Sequence, residues 1–495
     1  MKNLTSLILR KTLPFFLILF LCNHTNPILK AQLADTPWPC SGGNAQRTGL
    51  SRYDTSLVDG TLLWELEIPG TIFGSSAYSS NDALTLGKNN ILYIATFVNA
   101  NSFDETSSTL YAVDLHQQTM KAVFSTETGE ATITKAPTIA EDGTMYLPSY
   151  HYPREALLYA LDSNYKLLWT FNTQSRFLGS PIIDTHGTIY FCSSYPGNDF
   201  DDEYPYYLYA IQKDGTQKWS VPIRPNKSGV TLDKSGNIFI AGGRVNALNP
   251  EGETLWTYSG SDIGPMISPD GSIYVAKSYE GELHALDSKG NMKWVFHSDK
   301  TSVGEASVFS IVPSLGPDGT VYLFSCDNRR DPNNMLYAVD SMGKLKWKFR
   351  MDSIPRSNIA IGAEGNLYFT NHNKMMALNP EGQILWSYED ERIGSSDIVI
   401  GSDGRIYLSS HDDGKAFTNS TLFAFGNKDE LISKAIEKDQ MDTAIPEATQ
   451  DDTQFIKKES SPWEVLFFLA PAVVILIALG ILRRKRGRKK SKDEN

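Results

Sequence analysis

The chain has 495 residues, of which 41% are hydrophobic and 21% charged, a composition typical of folded globular proteins and unlike disordered or collagen-like ones. Its net charge of −11 is unevenly distributed, because the first 31 residues carry +4 and the last 13 carry +6, which leaves −21 on residues 32–482. A body this acidic repels phosphate backbones, so we expect no nucleic-acid partner. The two basic ends indicate membrane topology instead.

Residues 1–31 have the layout of a secretory signal peptide. Basic residues precede an apolar run that ends at Cys22, and a polar stretch ends at Ala31, the preferred cleavage site. The apolar run is too short to span a bilayer, which disfavours an uncleaved signal anchor. A lipoprotein signal at Cys22 is disfavoured because Phe20 and Leu21 stand where such signals carry small residues.

Two signatures recur through the body of the chain about every 45 residues. The first is Asp-Gly-x-Ile-Tyr, and its eight copies, the first of them degenerate, lie at residues 89–93, 142–146, 186–190, 235–239, 270–274, 318–322, 364–368 and 403–407. The second is Leu-Tyr-Ala-Leu-Asp-x-x-Gly-x-x-x-Trp, and it recurs with variations at residues 158–169, 208–219, 247–256, 283–294, 336–347 and 377–386. A further copy, which begins at Leu110, has lost its tryptophan.

Seven of the nine tryptophans occupy one position of this repeat: Trp64, Trp169, Trp219, Trp256, Trp294, Trp347 and Trp386. Each unit divides into four short apolar runs, with Asp-Gly predicting a hairpin between the first two strands and Asp-x-x-Gly one between the last two. Such a sheet cannot bury both faces alone, whereas eight sheets stacked radially can, with the tryptophan as a buried ring between adjacent outer strands. The sequence therefore predicts an all-β fold, an eight-bladed β-propeller of four-stranded antiparallel blades over residues 32–426.

The ends of the repeat array indicate how the ring closes. The eighth unit has no tryptophan strand of its own, and an orphan strand around Trp64 precedes the first unit. Joining the two would complete the eighth blade and remove an exposed sheet edge.

These repeats resemble the pyrroloquinoline-quinone-like (PQQ-like) β-propeller family, which includes quinone-dependent alcohol dehydrogenases and the lipoprotein propeller of outer-membrane assembly. The resemblance covers residues 38–426, and residues 38–49 are similar to the stretch that opens many secreted members. In the dehydrogenases, PQQ lies against a disulfide between adjacent cysteines, with a calcium ion and an Asp base. This chain has no adjacent cysteines. The resemblance therefore favours a non-enzymatic binding scaffold, and the alternative is a PQQ-dependent dehydrogenase with an atypical site.

In this strand order the Asp-Gly turns share one rim of the ring, and loops of variable length share the other, where we expect a protein or an envelope polymer to bind. The densest carboxylate cluster of that rim is Asp199, Asp201, Asp202 and Glu203, oxygen ligands of the kind that calcium prefers. A solvated acidic loop is the competing interpretation. The eight histidines have no HxH or HExxH spacing, so no transition-metal or hydrolytic site is predicted.

The C-terminal region predicts a membrane anchor. Residues 427–462 contain nine acidic and five basic residues and read as an extended acidic tether that begins with a short helix near residues 430–438. Residues 463–482 include an 18-residue charge-free run, long enough for a transmembrane helix. Residues 483–495 form a basic tail that the positive-inside rule places in the cytoplasm. We expect a single-pass membrane protein with its propeller extracytoplasmic, periplasmic or at the cell surface; a sorting tail that is removed after export is the alternative.

Overall fold

The computed structural model describes residues 32–72, 83–99, 106–127, 132–133, 135–150, 156–173, 177–194, 206–223, 229–260, 263–277, 280–299, 308–309, 312–326, 334–394, 396–410 and 419–430. The predicted signal peptide, the tether beyond residue 430, the predicted transmembrane helix and the basic tail lie outside these residues. Within the described part of the chain, no helix has the length and apolarity needed to cross a bilayer.

The described residues form eight antiparallel blades, and the strands of each blade follow one another from the centre of the ring outwards. Blade 1 comprises β2 (Thr71–Ile72), β3 (Leu84–Leu86), β4 (Ile91–Asn99), β5 (Thr106–Asp114) and β6 (Thr119–Ser125). Blade 2 comprises β7 (Thr132–Ile133), β8 (Thr138–Ile139), β9 (Met145–Tyr150), β10 (Leu157–Leu161) and β11 (Leu167–Asn172). Blade 3 comprises β12 (Phe177–Leu178), β13 (Ile182–Ile183), β14 (Ile189–Ser194), β15 (Tyr206–Ile211) and β16 (Gln217–Ile223).

Blade 4 comprises β17 (Thr231–Leu232), β18 (Ile238–Ala241), β19 (Arg244–Leu248) and β20 (Thr254–Ser259). Blade 5 comprises β21 (Met266–Ile267), β22 (Ile273–Lys277), β23 (Glu282–Leu286) and β24 (Met292–His297). Blade 6 comprises β25 (Val308–Phe309), β26 (Ser314–Leu315), β27 (Val321–Cys326), β28 (Asn334–Val339) and β29 (Leu345–Met351). Blade 7 comprises β30 (Ala360–Ile361), β31 (Leu367–Asn371), β32 (Lys374–Leu378) and β33 (Ile384–Glu389). Blade 8 comprises β34 (Ser396–Ile400), β35 (Ile406–Ser410), β36 (Ser420–Gly426) and β1 (Thr61–Ile68). A short 3-10 turn, Lys88–Asn90, precedes β4. The predicted eight-bladed fold is confirmed.

Both signature turns work through an aspartate that caps the turn backbone, as blade 6 illustrates. The Asp318 carboxylate accepts the N–H of Thr320 at 3.0 Å, and the Asp340 carboxylate accepts the N–H groups of Met342 and Lys344, each at 2.9 Å. These bonds satisfy backbone donors that the tight turn would otherwise leave unpaired. We call the edge of the ring that carries these turns the turn rim, and the opposite edge the long-loop rim.

The N-terminal strand closes the ring, as the sequence predicts. β1 pairs antiparallel with β36 from Thr61 opposite Gly426 to Ile68 opposite Ser420, and it becomes the outermost strand of blade 8. Arg392, which follows blade 7, holds the same strand through a bidentate pair with the carboxylate of Glu65, at 3.1 and 2.7 Å. The first strand of the ring and the last repeat are therefore one sheet.

The repeat tryptophans dock each blade onto the next. In six of them the indole N–H donates to a backbone carbonyl of the following blade at 2.7–3.0 Å: Trp169 to Lys213, Trp219 to Pro250, Trp256 to Ser288, Trp294 to Ser341, Trp347 to Pro380 and Trp386 to Val58. Each of these rings also packs on the Tyr or Phe of its own blade, with centroids 5.7–5.9 Å apart.

The expected burial of these rings is only partly correct. Trp64 is buried at 9% exposure, whereas the other six tryptophans are half-buried. All seven lie on an outermost strand, so the strand position alone does not set their exposure; Trp64 packs into a cluster of buried residues contributed by blades 1, 7 and 8.

Blades 1 and 2 show what the tryptophan requires of the turn that receives it. Blade 1 has no tryptophan on β6, and the turn of blade 2 that would receive one carries Tyr165 in place of glycine, at φ +67°. Its ring lies 6.3 Å from that of Tyr93 in blade 1. In the turns of blades 3 to 8, the glycine therefore makes room for the incoming tryptophan as well as forming the turn.

Candidate functional site: a plugged channel and a buried histidine at the long-loop rim

The N-terminal segment that precedes β1 lies inside the ring, at the turn-rim end of the central channel. We call residues 32–55 the N-terminal plug. The innermost strands donate backbone N–H groups to it in order round the ring, at 2.8–3.2 Å: Ile139 to Pro39, Leu232 to Ala45, Ile267 to Gln46, Leu315 to Thr48 and Ile361 to Gly49. Each donor lies just before the Asp-Gly turn of its blade. The plug thereby satisfies the inner edges of five blades.

Further contacts tie the plug to blades 1 and 7. Trp38 pairs with Leu86 of blade 1 through two backbone hydrogen bonds, at 3.3 and 2.9 Å. At the other end the N–H of Thr55 donates to the Glu364 carboxylate at 3.0 Å, and the Tyr368 hydroxyl donates to Thr55 at 2.7 Å. The plug is thus tied to blade 1 at Trp38 and to blade 7 before it runs outwards into β1. Its first residues bind blade 2, where the N–H of Ala34 donates to Ile139 at 2.8 Å and the N–H of Glu141 donates to Gln32 at 2.7 Å.

One glycine makes the close approach of the plug to blade 7 possible. Gly49 has φ +67°, and a Cβ atom there would lie 2.5 Å from the carbonyl oxygen of Ile359. No other residue fits this position without displacing backbone. Residues 38–49, which the resemblance singled out, therefore form the middle of the plug.

The residues present do not fit a quinone cofactor with calcium. Cys40, Cys192 and Cys326 are buried, and no two cysteines of the chain are adjacent. Burial raises the pKa of Cys192 to about 11, although the nearby cations Lys135 and Arg47 oppose this shift. In the described part of the chain, no three His, Cys, Asp or Glu side chains are grouped to hold a metal ion.

The structure does not describe the four carboxylates that the sequence suggested as calcium ligands. Asp199, Asp201, Asp202 and Glu203 fall between β14 and β15, outside the described residues, so their suggested role as calcium ligands stays a prediction.

The long-loop rim instead carries a chain of hydrogen bonds between blades 4 and 5. The Tyr258 hydroxyl lies 2.6 Å from Nδ1 of His284, and Nε2 of the same imidazole lies 2.7 Å from the Glu282 carboxylate. The second oxygen of Glu282 lies 3.3 Å from Nδ1 of His297. Since Glu282 accepts, Nε2 carries the proton and Nδ1 accepts from Tyr258. The chain links a strand of blade 4 to two strands of blade 5.

Burial sets the charge state of this site. Desolvation lowers the pKa of His284, while the hydrogen bond with Glu282 opposes the shift and the Lys277 cation adds to it. The same hydrogen bond lowers the pKa of Glu282. Near neutral pH the site therefore holds a neutral imidazole against a carboxylate, and His284 is only 5% exposed while the side chain of His297 is 70% exposed. Tyr258, Glu282 and His297 are the members of this hydrogen-bond network that reach solvent.

This site was missed in the sequence because its members are far apart in the repeat. Tyr258 and His284 are 26 positions apart and come together only through the stacking of two blades. A usable signal was nevertheless present: the hairpin turn between β23 and β24 places Glu282 opposite His297, and Glu282 and His284 share one face of β23.

The low pKa of His284 predicts a specific pH dependence of stability. Because the folded state disfavours a charged imidazole, stability is full above the ordinary histidine pKa of about 6.5 and falls as the pH drops through it. We expect His284→Gln to flatten the fall in melting temperature between about pH 7.5 and pH 5.5. His186→Gln, at an exposed position outside this hydrogen-bond network, is the control for loss of a surface histidine. Equal slopes in wild type and His284→Gln would contradict the assignment.

Comparisons with known proteins agree with the ring. Residues 241–411 match a family model described as outer membrane protein assembly factor BamB. No curated protein sequence matches the chain. Similar solved structures include the C-terminal WD40 domain of Sif2 (12% identity, TM-score 0.52, 74% of this chain and 98% of that one) and Sqt1 from Chaetomium thermophilum (11%, 0.51, 73% and 100%). BamB from Moraxella catarrhalis matches at 14% identity and TM-score 0.34, over 56% of this chain and 93% of that one.

The structural matches establish the propeller fold alone, because their sequence identities are low. The family match adds the repeat signatures, since residues 241–411 include several of their copies. Eight blades docked by the recurring tryptophan, together with this match, support the resemblance of the chain to the PQQ-like β-propeller family.

Proposed function

We propose that the chain is a membrane-tethered, extracytoplasmic scaffold that binds a protein or an envelope polymer at its long-loop rim. The observation that carries the proposal is the N-terminal plug, which binds the innermost strands just before their Asp-Gly turns and so occupies the turn-rim end of the channel. Loops of variable length on a rigid framework are where binding residues concentrate. The match to a family described as an assembly factor favours a scaffold over an enzyme.

The tether and the location rest on the sequence. Residues 1–31 would direct export, residues 463–482 would stop it, and the basic residues 483–495 would stay in the cytoplasm. The acidic residues 427–462 would then join the ring to the membrane. On this proposal the long-loop rim faces the periplasm or the cell exterior.

Site-specific photocrosslinking in intact cells tests the scaffold directly. A photoreactive amino acid at His297, on the long-loop rim, should form discrete adducts with a protein or polymer of the envelope. Leu255, at the turn rim and 50% exposed, is the control position. We expect the adducts at position 297 to be more abundant and to decrease when the loop at residues 195–205 is shortened. Adducts that are equal at the two positions, or absent at 297, would contradict the proposal.

A further inference from the structure

The contact between blades 1 and 2 is the one contact between neighbouring blades that has no repeat tryptophan. We call each such contact a seam, and the seven repeat tryptophans lie at the other seven seams. Where a blade has the tryptophan, it lies opposite an alanine of the preceding strand, as Trp169 lies opposite Ala160. In blade 1 the corresponding alanine, Ala112, lies opposite Lys121, which is exposed. The repeat therefore leaves this seam without its usual docking residue.

The first residues of the N-terminal plug cross this seam, and we call residues 32–39 the seam strap. Five backbone hydrogen bonds of 2.7–3.3 Å join the strap to the inner edges of both blades: the N–H of Trp38 to Leu86 and the N–H of Leu86 to Trp38 in blade 1, and the N–H of Ile139 to Pro39, the N–H of Ala34 to Ile139 and the N–H of Glu141 to Gln32 in blade 2. The strap thereby binds one blade with its last residues and the other along its length.

Side chains of the strap are buried at both of its ends. Ala34 belongs to the apolar cluster that blades 1 and 2 share, together with Tyr93 of blade 1 and Ile139 of blade 2. Trp38 belongs to the cluster of blades 1, 7 and 8. Gly43 of the plug lies against its indole so closely that a Cβ atom there would be 3.2 Å from the ring. Apolar packing as well as backbone hydrogen bonding therefore fixes the strap.

The second seam of blade 1 also depends on the N-terminal segment. The tryptophan between blades 8 and 1 is Trp64 of β1, and its indole nitrogen is buried without a hydrogen-bond partner among the residues that the structure describes. The other six repeat tryptophans donate their N–H to the next blade. Blade 1 is therefore the blade that, among the described residues, has no indole hydrogen bond at either seam.

Other contacts between blades 1 and 2 would remain without the strap. The N–H of Ile133 donates to the Ser108 hydroxyl at 2.8 Å, and the ring of Phe124 lies 5.5 Å from that of Tyr159. These contacts should keep the blade in place in most molecules. Loss of the strap should therefore raise the population of an opened seam and leave the rest of the ring folded.

We propose that the seam strap replaces the missing tryptophan and sets how often blade 1 opens away from blade 2. In this blade β4 and β5 have nine residues each, whereas the second and third strands of the other blades have four to seven. Opening would therefore move the longest of these described hairpins, whose loop end lies at the long-loop rim. Displacement of the N-terminus at the turn rim would thereby act on the opposite rim. A consequence for ligand binding rests on the proposed function, whereas the opening itself does not.

Hydrogen exchange of the full chain, measured by mass spectrometry, tests the strap. A variant without residues 32–36 loses the strap's bonds through Gln32 and Ala34 and keeps Trp38. We expect severalfold faster exchange in β5, which β3 and β4 separate from the strap, and unchanged exchange in β19 of blade 4. Gln46→Ala is the matched control, because it removes a bond of 3.0 Å between the plug and Leu232 of blade 4 and leaves the strap intact. It should not accelerate exchange in β5.

Restoring the tryptophan provides the converse test. Lys121→Trp places an indole opposite Ala112, and Tyr165→Gly gives the receiving turn the glycine of blades 3 to 8, at a φ of +67° that glycine adopts without strain. In the variant without residues 32–36, the two substitutions together should return the exchange of β5 towards the wild-type rate. Tyr165→Gly alone, which removes the contact with Tyr93, should not.

The exchange of β5 decides the outcome. Unchanged exchange in β5 after the deletion would overturn the strap, as would an equal increase in β5 and β19. If the shortened chain does not fold, Lys121→Trp with Tyr165→Gly in the chain of full length decides instead. Slower exchange in β5 alone would support the proposal, and unchanged exchange would overturn it. These rates are measured without a ligand, so failure of the proposed scaffold function would not alter them.

Discussion

Removing residues 32–68 should abolish the folded ring. The deletion takes away β1, whose Trp64 and Ile68 are buried, and burial of two such side chains contributes about 3 to 6 kcal/mol. That amount is a large part of the roughly 5 to 15 kcal/mol by which whole domains are stable. The deletion also leaves β36, whose seven residues are all buried, as an open sheet edge. We expect rapid proteolysis, beginning within residues 396–426, and aggregation.

A shorter deletion separates the plug from the strand. Removal of residues 32–55 alone keeps β1 and blade 8 but takes away the hydrogen bonds to the innermost strands. This variant should fold with a lower melting temperature and should resist proteolysis within residues 396–426. If the longer deletion is as resistant to protease as the full chain, closure by β1 is wrong.

Replacing Gly343 in blade 6 with alanine should destabilise the ring through its contact with Trp294. Gly343 has φ +85°, and a Cβ atom there would lie 2.7 Å from the Trp294 ring. The positive φ alone costs about 1 to 2 kcal/mol, and overpacking against the indole adds about 1 to 3 kcal/mol. Chemical denaturation should report the sum.

Gly271 is a matched control within blade 5. It has φ +82° and no atom within 4 Å of a Cβ placed there, so Gly271→Ala should show the cost of the backbone alone. Trp294→Ala removes the indole and its hydrogen bond to Ser341 and should cost about 2 to 4 kcal/mol, less than for a fully buried tryptophan. In the Gly343→Ala, Trp294→Ala double variant the overpacking cost should disappear. Its loss of stability should therefore be smaller than the losses of the two single variants added together. Equal losses for Gly343→Ala and Gly271→Ala would contradict docking of the tryptophan on the turn.

The repeat made most of the fold predictable, because each Asp-Gly and Asp-x-x-Gly turn specifies a hairpin locally. Eight copies gave the number of blades, and the missing strand of the last copy gave the closure by β1. The degree to which the tryptophan side chains are buried was not predictable from their recurrence. Their position in the repeat is constant, but burial depends on what covers the outermost strand. Tyr165 is a second feature that the repeat did not explain. It occupies the turn position that is glycine in blades 3 to 8, and the reason is visible only when the missing tryptophan of blade 1 is considered.

The plug and the histidine site had no comparable signal. The plug is bound by backbone hydrogen bonds to residues such as Leu232 and Leu315, and such bonds leave no hydrophobic period in the sequence. The link between Tyr258 and His284 requires the stacking of two blades, which a repeat pattern does not specify residue by residue. Local chemistry predicts turns and strands, whereas contacts between units depend on the assembled ring.

Hydrogen exchange of the plug tests the central claim most directly, because the proposed working face depends on a ring that is closed and filled from its N-terminus. In the full chain, the amides of Ala34, Trp38 and Ser51 donate to backbone carbonyls of the innermost strands. They should exchange far more slowly than amides of an unstructured peptide, although faster than amides in the middle of β27, because the ring is expected to stay folded when the plug is released. Exchange of residues 33–55 at the rate of an unstructured peptide, while β27 stays protected, would contradict the plugged ring.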